Sequence, residues 1–345
     1  MLFTNVQNSL FFPFCLYHLR VNRDDQYRLI SCITLYIIHI RTNVIYFEKH
    51  GDDIMQDLIK KIRSHMNMNQ TEFAELLNVT FATVNRWENG RALPNKLAQD
   101  KIYDLCKEYD VPVYDMVLEK IEAASGSIEL EKGRVLLYHG SKSGIEGDIA
   151  PLSRKQCDFG EGFYMGTEPS QALTLICDYE SAKLYVVSIS VDNLAVLDVP
   201  ADLEWAMIVA YHRGRMEKIK GTSFYNKYQE MTKDKDLIIG SIANDRMFFV
   251  IDNFFIGNIT DAALINSLSA LELGKQYVAI TQKGCDAVRI EKEIPISYLE
   301  KLFMKAVSEA NRVKGSSLAN DICRNYRREG LFFDEILDQA AGGKA

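Results

Sequence analysis

Residues 70–94 read QTEFAELLNVTFATVNRWENGRALP, and this stretch predicts two short helices joined by a tight turn. Asn69 is a suitable N-cap for a helix over residues 70–77, because its side-chain oxygen can accept a hydrogen bond from the first turn. The spacing of the apolar residues indicates that one face of this helix is buried. That face carries Phe73, Ala74 and Leu77.

A three-residue turn, 78–80, separates this helix from the next, which is predicted over residues 81–88. Asn89-Gly90 ends it, since glycine tolerates the left-handed conformation that closes a helix. Amphipathic patterns predict a helix on either side, one beginning near residue 53 and one over residues 96–109. The inner side of the 81–88 helix carries Val84 and Trp87.

The string closely resembles the phage-repressor (XRE-type) helix-turn-helix family of bacterial regulators, and we assign residues 54–122 to such a DNA-binding domain. The resemblance implies a recognition helix, residues 81–87, in the major groove of a double-stranded DNA operator. Members commonly bind palindromes as dimers, so a homodimer is expected. The matching residues are Gln70, Ala74, Val84, Trp87, Glu88, Asn89 and Gly90.

Within that resemblance, Arg86 can pair with guanine and Asn85 with adenine. The residues expected on the outward side of the recognition helix are Thr80, Phe81, Ala82, Thr83, Asn85 and Arg86. Phe81 either contacts a thymine methyl or packs against the protein. Contacts to phosphates, which position the protein without reading sequence, are expected from Gln70, Arg91 and Lys96.

Charge is distributed in a way that permits a local DNA-binding face. The whole chain carries a net charge of −7, but residues 59–97 contain six basic and three acidic residues. The affinity of a protein for DNA depends on where basic groups lie rather than on the total. The alternative interpretation of this domain is a helical bundle for protein contacts.

The seven cysteines are scattered, and no two are spaced as C-x-x-C. A disulfide framework or a zinc site is therefore not expected, and a cytoplasmic location without a metal is the default. Hydrophobic residues make up 47% and charged residues 25% of the chain, as in an ordinary globular protein.

The opening residues, 1–53, do not share the patterns that follow. The apolar run at residues 29–38 is about half as long as a membrane span requires. No basic segment leads into an apolar core with a small-residue cleavage site. Because the chain from Met55 reads as a natural start, residues 1–53 are expected to be a non-native or disordered leader, with a membrane anchor as the alternative.

Small and charged residues at 123–133 predict a linker to a second domain at residues 134–292. Strand-like and helical runs alternate there, which favours an α+β domain with a mostly antiparallel sheet. A helical C-terminal extension, residues 293–345, is predicted to contain three helices. The strands are expected at 135–138, 184–190, 195–197, 237–239, 276–281 and 287–290.

Three motifs in this domain could carry chemistry. LLYHGS at residues 136–141 is a strand that leaves into a glycine turn, where a ligand edge can be held. DFGEGFYMGT at residues 158–167 combines glycines, which allow close backbone approach, with an aromatic side chain. KQYVAI at residues 275–280 opens a late strand. Each motif taken alone is more often structural than catalytic.

In this order the motifs resemble the ADP-ribosyltransferase superfamily of the histidine–tyrosine–glutamate type, and more closely an uncharacterised bacterial family placed in that fold. The resemblance implies NAD as the cofactor, with His139 on its ribose and Tyr164 stacked on its nicotinamide. The third catalytic position is Gln276. The other residues implied at the cofactor are Gly140, Ser141, Gly162 and Ala172, with Gln171 at the rim.

Gln276 departs from the family pattern, which has glutamate there. A neutral amide still makes hydrogen bonds, but the loss of the charge removes on the order of 2–4 kcal/mol of transition-state stabilisation. Transfer is then slow, or another acid such as Glu161 or Glu272 substitutes, or the domain binds nucleotides without turnover.

The leading interpretation is therefore a DNA-binding bacterial regulator with an NAD-dependent ADP-ribosyltransferase-like domain, which modifies a macromolecular acceptor. The alternative is a repressor or antitoxin-like protein whose second domain is an inactive nucleotide- or partner-binding module.

Overall fold

The computed structural model describes residues 55–242, 245–270, 274–326 and 328–342. The expectations for residues 1–53 and for Glu272 lie outside this part of the chain. Residues from Met55 onward form one compact unit.

Five helices open the described chain. Helix α1 is described over residues 55–65 and is followed by α2 (Gln70–Leu77), α3 (Phe81–Glu88), α4 (Lys96–Glu108) and α5 (Val113–Gly126). The bounds of α2 and α3 agree with the sequence prediction. The predicted cap is confirmed as well: the Asn69 side chain accepts from the backbone N–H groups of Thr71 and Glu72, and Glu72 reaches back to the Asn69 N–H.

A seven-stranded mixed sheet forms the second part of the molecule, with strand order β4-β5-β6-β2-β1-β3-β7. Only β4 and β5 pair in parallel, and the other five described pairs are antiparallel. The strands are β1 (Arg134–Ser141), β2 (Phe163–Gly166), β3 (Lys183–Ser190), β4 (Val196–Asp198), β5 (Leu237–Ser241), β6 (Lys275–Ala279) and β7 (Val288–Ile294).

Within the described residues, eight helices accompany the sheet. They are α6 (Pro169–Ile176), α7 (Leu203–His212), α8 (Ser223–Thr232), α9 (Asp245–Phe255), α10 (Asp261–Ala270), α11 (Gln282–Asp286), α12 (Tyr298–Tyr326) and α13 (Phe333–Gly342). A short 3-10 helix, Glu217–Ile219, lies between α7 and α8.

The two faces of the sheet bury different residues, because successive side chains of a strand point to opposite sides. Face I is defined by Tyr138, Val186, Ile238 and Val278. Face II is defined by Leu137, Val187 and Leu237. On the β1–β3 half, face I packs in one apolar core with α1–α6 and α12, and on the β5–β6 half it packs with α7, α9 and α10.

Three segments differ from the sequence expectation. Helix α5 continues through Gly126, past residue 123 where the linker was expected to begin, because Val117, Ile121 and Ser125 are buried. The prediction of three helices over residues 293–345 was wrong, since α12 runs unbroken from Tyr298 to Tyr326 and α13 is the one described helix that follows it. Strand β2 lies within the motif at residues 158–167, where no strand was predicted.

Candidate DNA-binding face and candidate site of the second domain

The turn between α2 and α3 is fixed by its own side chains. Asn78 ends α2 in the left-handed conformation, φ 55°, which asparagine tolerates better than most residues. Thr80 caps α3 by accepting from the Thr83 backbone N–H at 3.2 Å. Val84 and Trp87 are buried as predicted, so the opposite side of α3 faces outward.

A buried polar network holds the three helices α1, α2 and α3 together. The Arg63 guanidinium donates to both carboxylate oxygens of Glu88, from Nε at 2.6 Å and from Nη2 at 3.0 Å. Gln70 Nε2 donates to Glu88 Oε2 at 2.6 Å, and Asn85 Nδ2 donates to Gln70 Oε1 at 3.2 Å. Hydrogen bonding to Glu88 raises the pKa of Arg63. The network therefore orients Gln70 and Asn85, two of the predicted DNA contacts.

Sequence reasoning missed this network. In the sequence, Arg63 is one of the six basic residues between 59 and 97, and Glu88 is one of the residues that match the helix-turn-helix family. Glu88 is 2% exposed, and a carboxylate so deeply buried requires a partner. The only signal in the sequence was an acidic residue next to the buried Trp87.

The remaining predicted contacts are distributed over an exposed surface. Phe81 is 52% exposed and so is not part of the core. Thr80, Ala82 and Arg86 are also exposed, and Thr83 is half-buried. Arg91 is exposed just beyond α3.

Lys96 lies at the boundary between the two parts of the molecule. Its Nζ is 2.8 Å from Glu180 Oε1 and 5.4 Å from the centre of the Tyr298 ring. Hydrogen bonding to Glu180 raises the pKa of Lys96. The predicted phosphate contact is thus paired with a residue that follows α6.

In the second part of the molecule, strand register determines which predicted residues meet. Tyr138 lies opposite Gly166, and Gly166 lies opposite Gln276. Tyr164 and Gln276 therefore share face I, while His139, next to Tyr138, points to face II. The structure brings Tyr164 and Gln276 to one face and places the His139 side chain on the other.

His139 is held by neighbours on face II. Its Nδ1 lies 2.7 Å from the carbonyl oxygen of Tyr164, and its ring stacks on Phe163 with centroids 4.1 Å apart. Burial lowers the pKa of His139.

The glycines of the first two motifs permit close packing. A Cβ at Gly140 would lie 2.6 Å from the carbonyl oxygen of Ala172, and one at Gly162 would lie 2.6 Å from Val278 Cγ1. Ser141 Oγ donates to the Gly144 carbonyl oxygen at 2.7 Å. β1 therefore lies directly against α6, which carries Ala172.

Tyr164 anchors the loop before β2. Its hydroxyl donates to the Gly160 carbonyl oxygen at 2.8 Å and accepts from the Phe159 N–H at 3.0 Å. Burial raises the pKa of Tyr164. Phe159 is itself buried against Gly240 and Trp205, so the loop is fixed on both sides of its aromatic residue.

A polar cluster surrounds Gln276, which is 6% exposed. Gln276 Nε2 donates to the Ser241 carbonyl oxygen at 3.0 Å and lies 3.4 Å from Asp158 Oδ2. The other oxygen of Asp158 accepts from Arg213 at 2.6 Å, and both side chains of that pair are 13% exposed. This places a carboxylate beside the position where the family resemblance implies one.

Within the part of the chain that the structure describes, two buried polar atoms near this cluster have no hydrogen-bond partner: Gln171 Oε1 and His212 Nε2. Gln171 Oε1 lies on face I next to Gly166, 3.2 Å from where a Cβ would be. Burial lowers the pKa of His212 to about 4, against the opposing effect of Asp158.

The described residues contain no cluster of three or more His, Cys, Asp or Glu side chains that could hold a metal ion. None of the described helices is long and apolar enough to cross a membrane.

These features define a helix-turn-helix protein with an appended α/β domain, and a known family matches each of the two parts. Residues 59–115 match the family described as helix-turn-helix, and residues 135–290 match the family described as protein of unknown function (DUF3990). No curated protein and no solved structure matches the chain. The chain therefore carries a helix-turn-helix domain, which indicates a DNA-binding regulator, and a DUF3990 domain, whose description names no activity.

Proposed function

We propose that this protein binds a specific double-stranded DNA operator through α3, as a regulator of transcription. The observation that carries the proposal is the exposed face of α3, with Asn85 oriented from behind by the Gln70–Glu88–Arg63 network. A side chain that is already ordered loses less conformational entropy when it binds a base edge. A homodimer on a palindromic site is part of the proposal.

The test begins by selecting bound duplexes from a random library with the purified protein. On the selected site, Arg86→Ala is expected to cost about 1–3 kcal/mol and to relax specificity at one base pair. Arg91→Ala should weaken binding to all sequences equally and lower the salt slope by about one. Lys132→Ala, which removes an exposed charge between α5 and β1, is the control. No enriched site, or equal losses in all three variants, would reject the proposal.

We infer that the second domain binds NAD and transfers its ADP-ribose to a macromolecule. The residues on face I fit such a ligand. The buried Gln171 Oε1 needs a donor, which a carboxamide N–H or a ribose hydroxyl supplies. Gln276 and Asp158 add an amide and a carboxylate nearby. NAD supplies a good leaving group, nicotinamide, while the protein's own groups orient the ribose.

A second reading of this domain is a nucleotide sensor without turnover. It is favoured by the neutral Gln276 and by the position of His139 on the opposite face of the sheet. Binding of NAD and release of nicotinamide, measured on the same preparation, separate the two readings. Tyr164→Phe is the variant of choice, because it keeps the ring and removes only the hydroxyl that holds Phe159 and Gly160.

If the wild-type protein releases nicotinamide and Tyr164→Phe releases it more slowly, transfer is supported. If NAD binds but no nicotinamide is released, the nucleotide sensor is supported. If the protein neither binds NAD nor releases nicotinamide, both interpretations of the second domain are rejected. That result does not affect the proposal that the protein binds a DNA operator.

A further inference from the structure

We propose that Asp158 supplies the carboxylate of the second-domain site, in place of the glutamate that Gln276 replaces. This inference rests on the proposed transfer of ADP-ribose. Asp158 Oδ2 lies 3.4 Å from Gln276 Nε2, although the two residues are separated by 118 positions in the chain.

The two acids that the sequence offered as substitutes do not take this place. Glu161 belongs to the same loop but is exposed, and Glu272 lies outside the described residues. Asp158 is 13% exposed, and its carboxylate contacts the Gln276 side chain directly.

The surroundings hold Asp158 in one orientation. Arg213 donates to Oδ1 from Nε at 3.0 Å and from Nη2 at 2.6 Å, which leaves Oδ2 directed towards Gln276. On the C-terminal side, the Tyr164 hydroxyl bonds the backbone of Phe159 and Gly160. A preorganised carboxylate of this kind stabilises positive charge without reorganising during the reaction.

The chemistry is a substitution at the ribose. The bond between C1′ and the nicotinamide nitrogen breaks, and its electron pair leaves with nicotinamide. An acceptor oxygen, from a macromolecule or from water, forms the new bond to C1′, and its proton passes to solvent. Asp158 stabilises the positive charge that develops on the ribose as the first bond breaks. Gln276 orients the ribose through its amide, polarised by Asp158.

A carboxylate exchange tests the assignment. Asp158→Asn is expected to lower kcat for nicotinamide release about 10²–10³-fold, with the Kd for NAD changed only a few-fold. The double variant Asp158→Asn/Gln276→Glu again pairs one carboxylate with one amide. It should recover at least about tenfold of the loss, whereas a purely structural role for Asp158 predicts no recovery. Glu146→Gln, which neutralises an exposed carboxylate between β1 and β2, is the control.

The single variant Gln276→Glu changes kcat in opposite directions, depending on whether Asp158 supplies the carboxylate or position 276 has simply lost its acid. If Asp158 is the carboxylate, a second one at 3.4 Å repels it, and kcat falls. If position 276 has merely lost its acid, kcat rises. The stability of the ligand-free protein is an independent measurement. Gln276→Glu should lower the urea midpoint at pH 7, because it adds a second carboxylate beside Asp158.

Failure of the assignment and failure of the proposed function give different results. If the wild-type protein releases nicotinamide and Asp158→Asn, still folded, releases it equally fast, only the role of Asp158 is overturned. A gain of activity in Gln276→Glu also overturns it. If the wild-type protein never releases nicotinamide, transfer itself is rejected, and the role of Asp158 is rejected with it.

Discussion

At the scale of single residues, His212 makes the stability of the protein depend on pH. Its pKa is lowered to about 4 by burial, whereas an unfolded histidine titrates near 6.5. Above pH 6.5 the imidazole is neutral in both states. As the pH falls from 6.5 to 4, the unfolded state takes up a proton that the folded state does not, so stability is lost, up to about 3 kcal/mol.

Urea unfolding at pH 7.0 and pH 4.5 measures this effect. His212→Leu should reduce the difference between the two pH values, whatever its effect on stability at pH 7. His65→Gln, which removes an exposed histidine of α1, is the matched control. The pKa of Asp236 is lowered to about 2 by hydrogen bonds from Ala195, Lys283 and Thr281, so its contribution is lost only below about pH 4. An unaltered pH dependence in His212→Leu would contradict the argument.

Glu88→Gln tests the buried network of the helix-turn-helix domain. Glu88 is buried and Arg63 is 19% exposed, so removing the carboxylate leaves a partly buried charge uncompensated, at a cost of up to about 3–5 kcal/mol. We expect a lower urea midpoint and weaker operator binding, because Gln70 and Asn85 lose their common anchor. Glu75→Gln, on the exposed side of α2, should change neither measurement. A stable Glu88→Gln variant with unchanged DNA affinity would show that the network is dispensable.

These residue partners could not have been predicted from the sequence, although the residues themselves stand in recognisable motifs. Asp158 was seen only as the first residue of a glycine motif, and its partners Arg213 and Gln276 lie 55 and 118 positions away. Local pattern specifies caps and apolar faces, whereas pairs this distant are set by how the sheet folds. The placement of His139 on face II likewise follows from strand register, which the motifs do not contain.

At the scale of elements, the helices with strong local signals agreed with prediction. Asn69 and Thr80 cap α2 and α3, and Gly90 adopts φ 64° after α3. Strand β2 was not predicted because it has only four residues and follows two glycines. Its pairing with β1 and β6 stabilises it, so tertiary context overrides local propensity. Tertiary packing also overrides local propensity in α12, which continues through a Gly-Ser-Ser sequence and packs on α9.

Gly140→Ala tests the contact between β1 and α6. The new Cβ would lie 2.6 Å from the Ala172 carbonyl oxygen and 2.8 Å from Ile176 Cγ2, so the helix must shift. We expect a loss of about 1–3 kcal/mol in the free energy of unfolding. At Gly126 an added Cβ would meet no atom within 4 Å, and Gly126→Ala should be neutral or slightly stabilising. Equal stability of the two variants would mean that α6 is not fixed against the strand.

At the scale of the whole molecule, the two parts are joined through side chains that cross between them. Gln99 Oε1 accepts from the Leu299 N–H at 2.9 Å, and Lys120 Nζ donates to Glu300 Oε1 at 2.6 Å. Tyr138 donates to Ser125 Oγ at 3.0 Å. The sequence suggested a linker because residues 123–127 are small, but small residues also allow a helix to pack closely. A rigid junction of this kind can couple DNA binding to events in the second domain.

The ion pair between Lys96 and Glu180 is where that coupling can be measured. If Lys96 contacts a phosphate, DNA and Glu180 compete for the same ammonium group. Exposed pairs of this kind contribute little, so Glu180→Gln is expected to tighten operator binding about two- to five-fold at low salt. Lys96→Ala should weaken binding and lower the salt slope by about one. In the double variant the gain from Glu180→Gln should vanish, since nothing remains to be released.

Asp178→Asn distinguishes competition from a general reduction in negative charge. Asp178 is an exposed carboxylate two positions before Glu180, and it pairs with Lys305 instead of Lys96. Equal gains from Asp178→Asn and Glu180→Gln would mean that DNA senses only the overall field of this surface. A gain confined to Glu180→Gln, and dependent on Lys96, would make the pair a link between operator and second domain. By reciprocity, bound DNA would then free Glu180, next to the helix that carries Gln171 and Ala172.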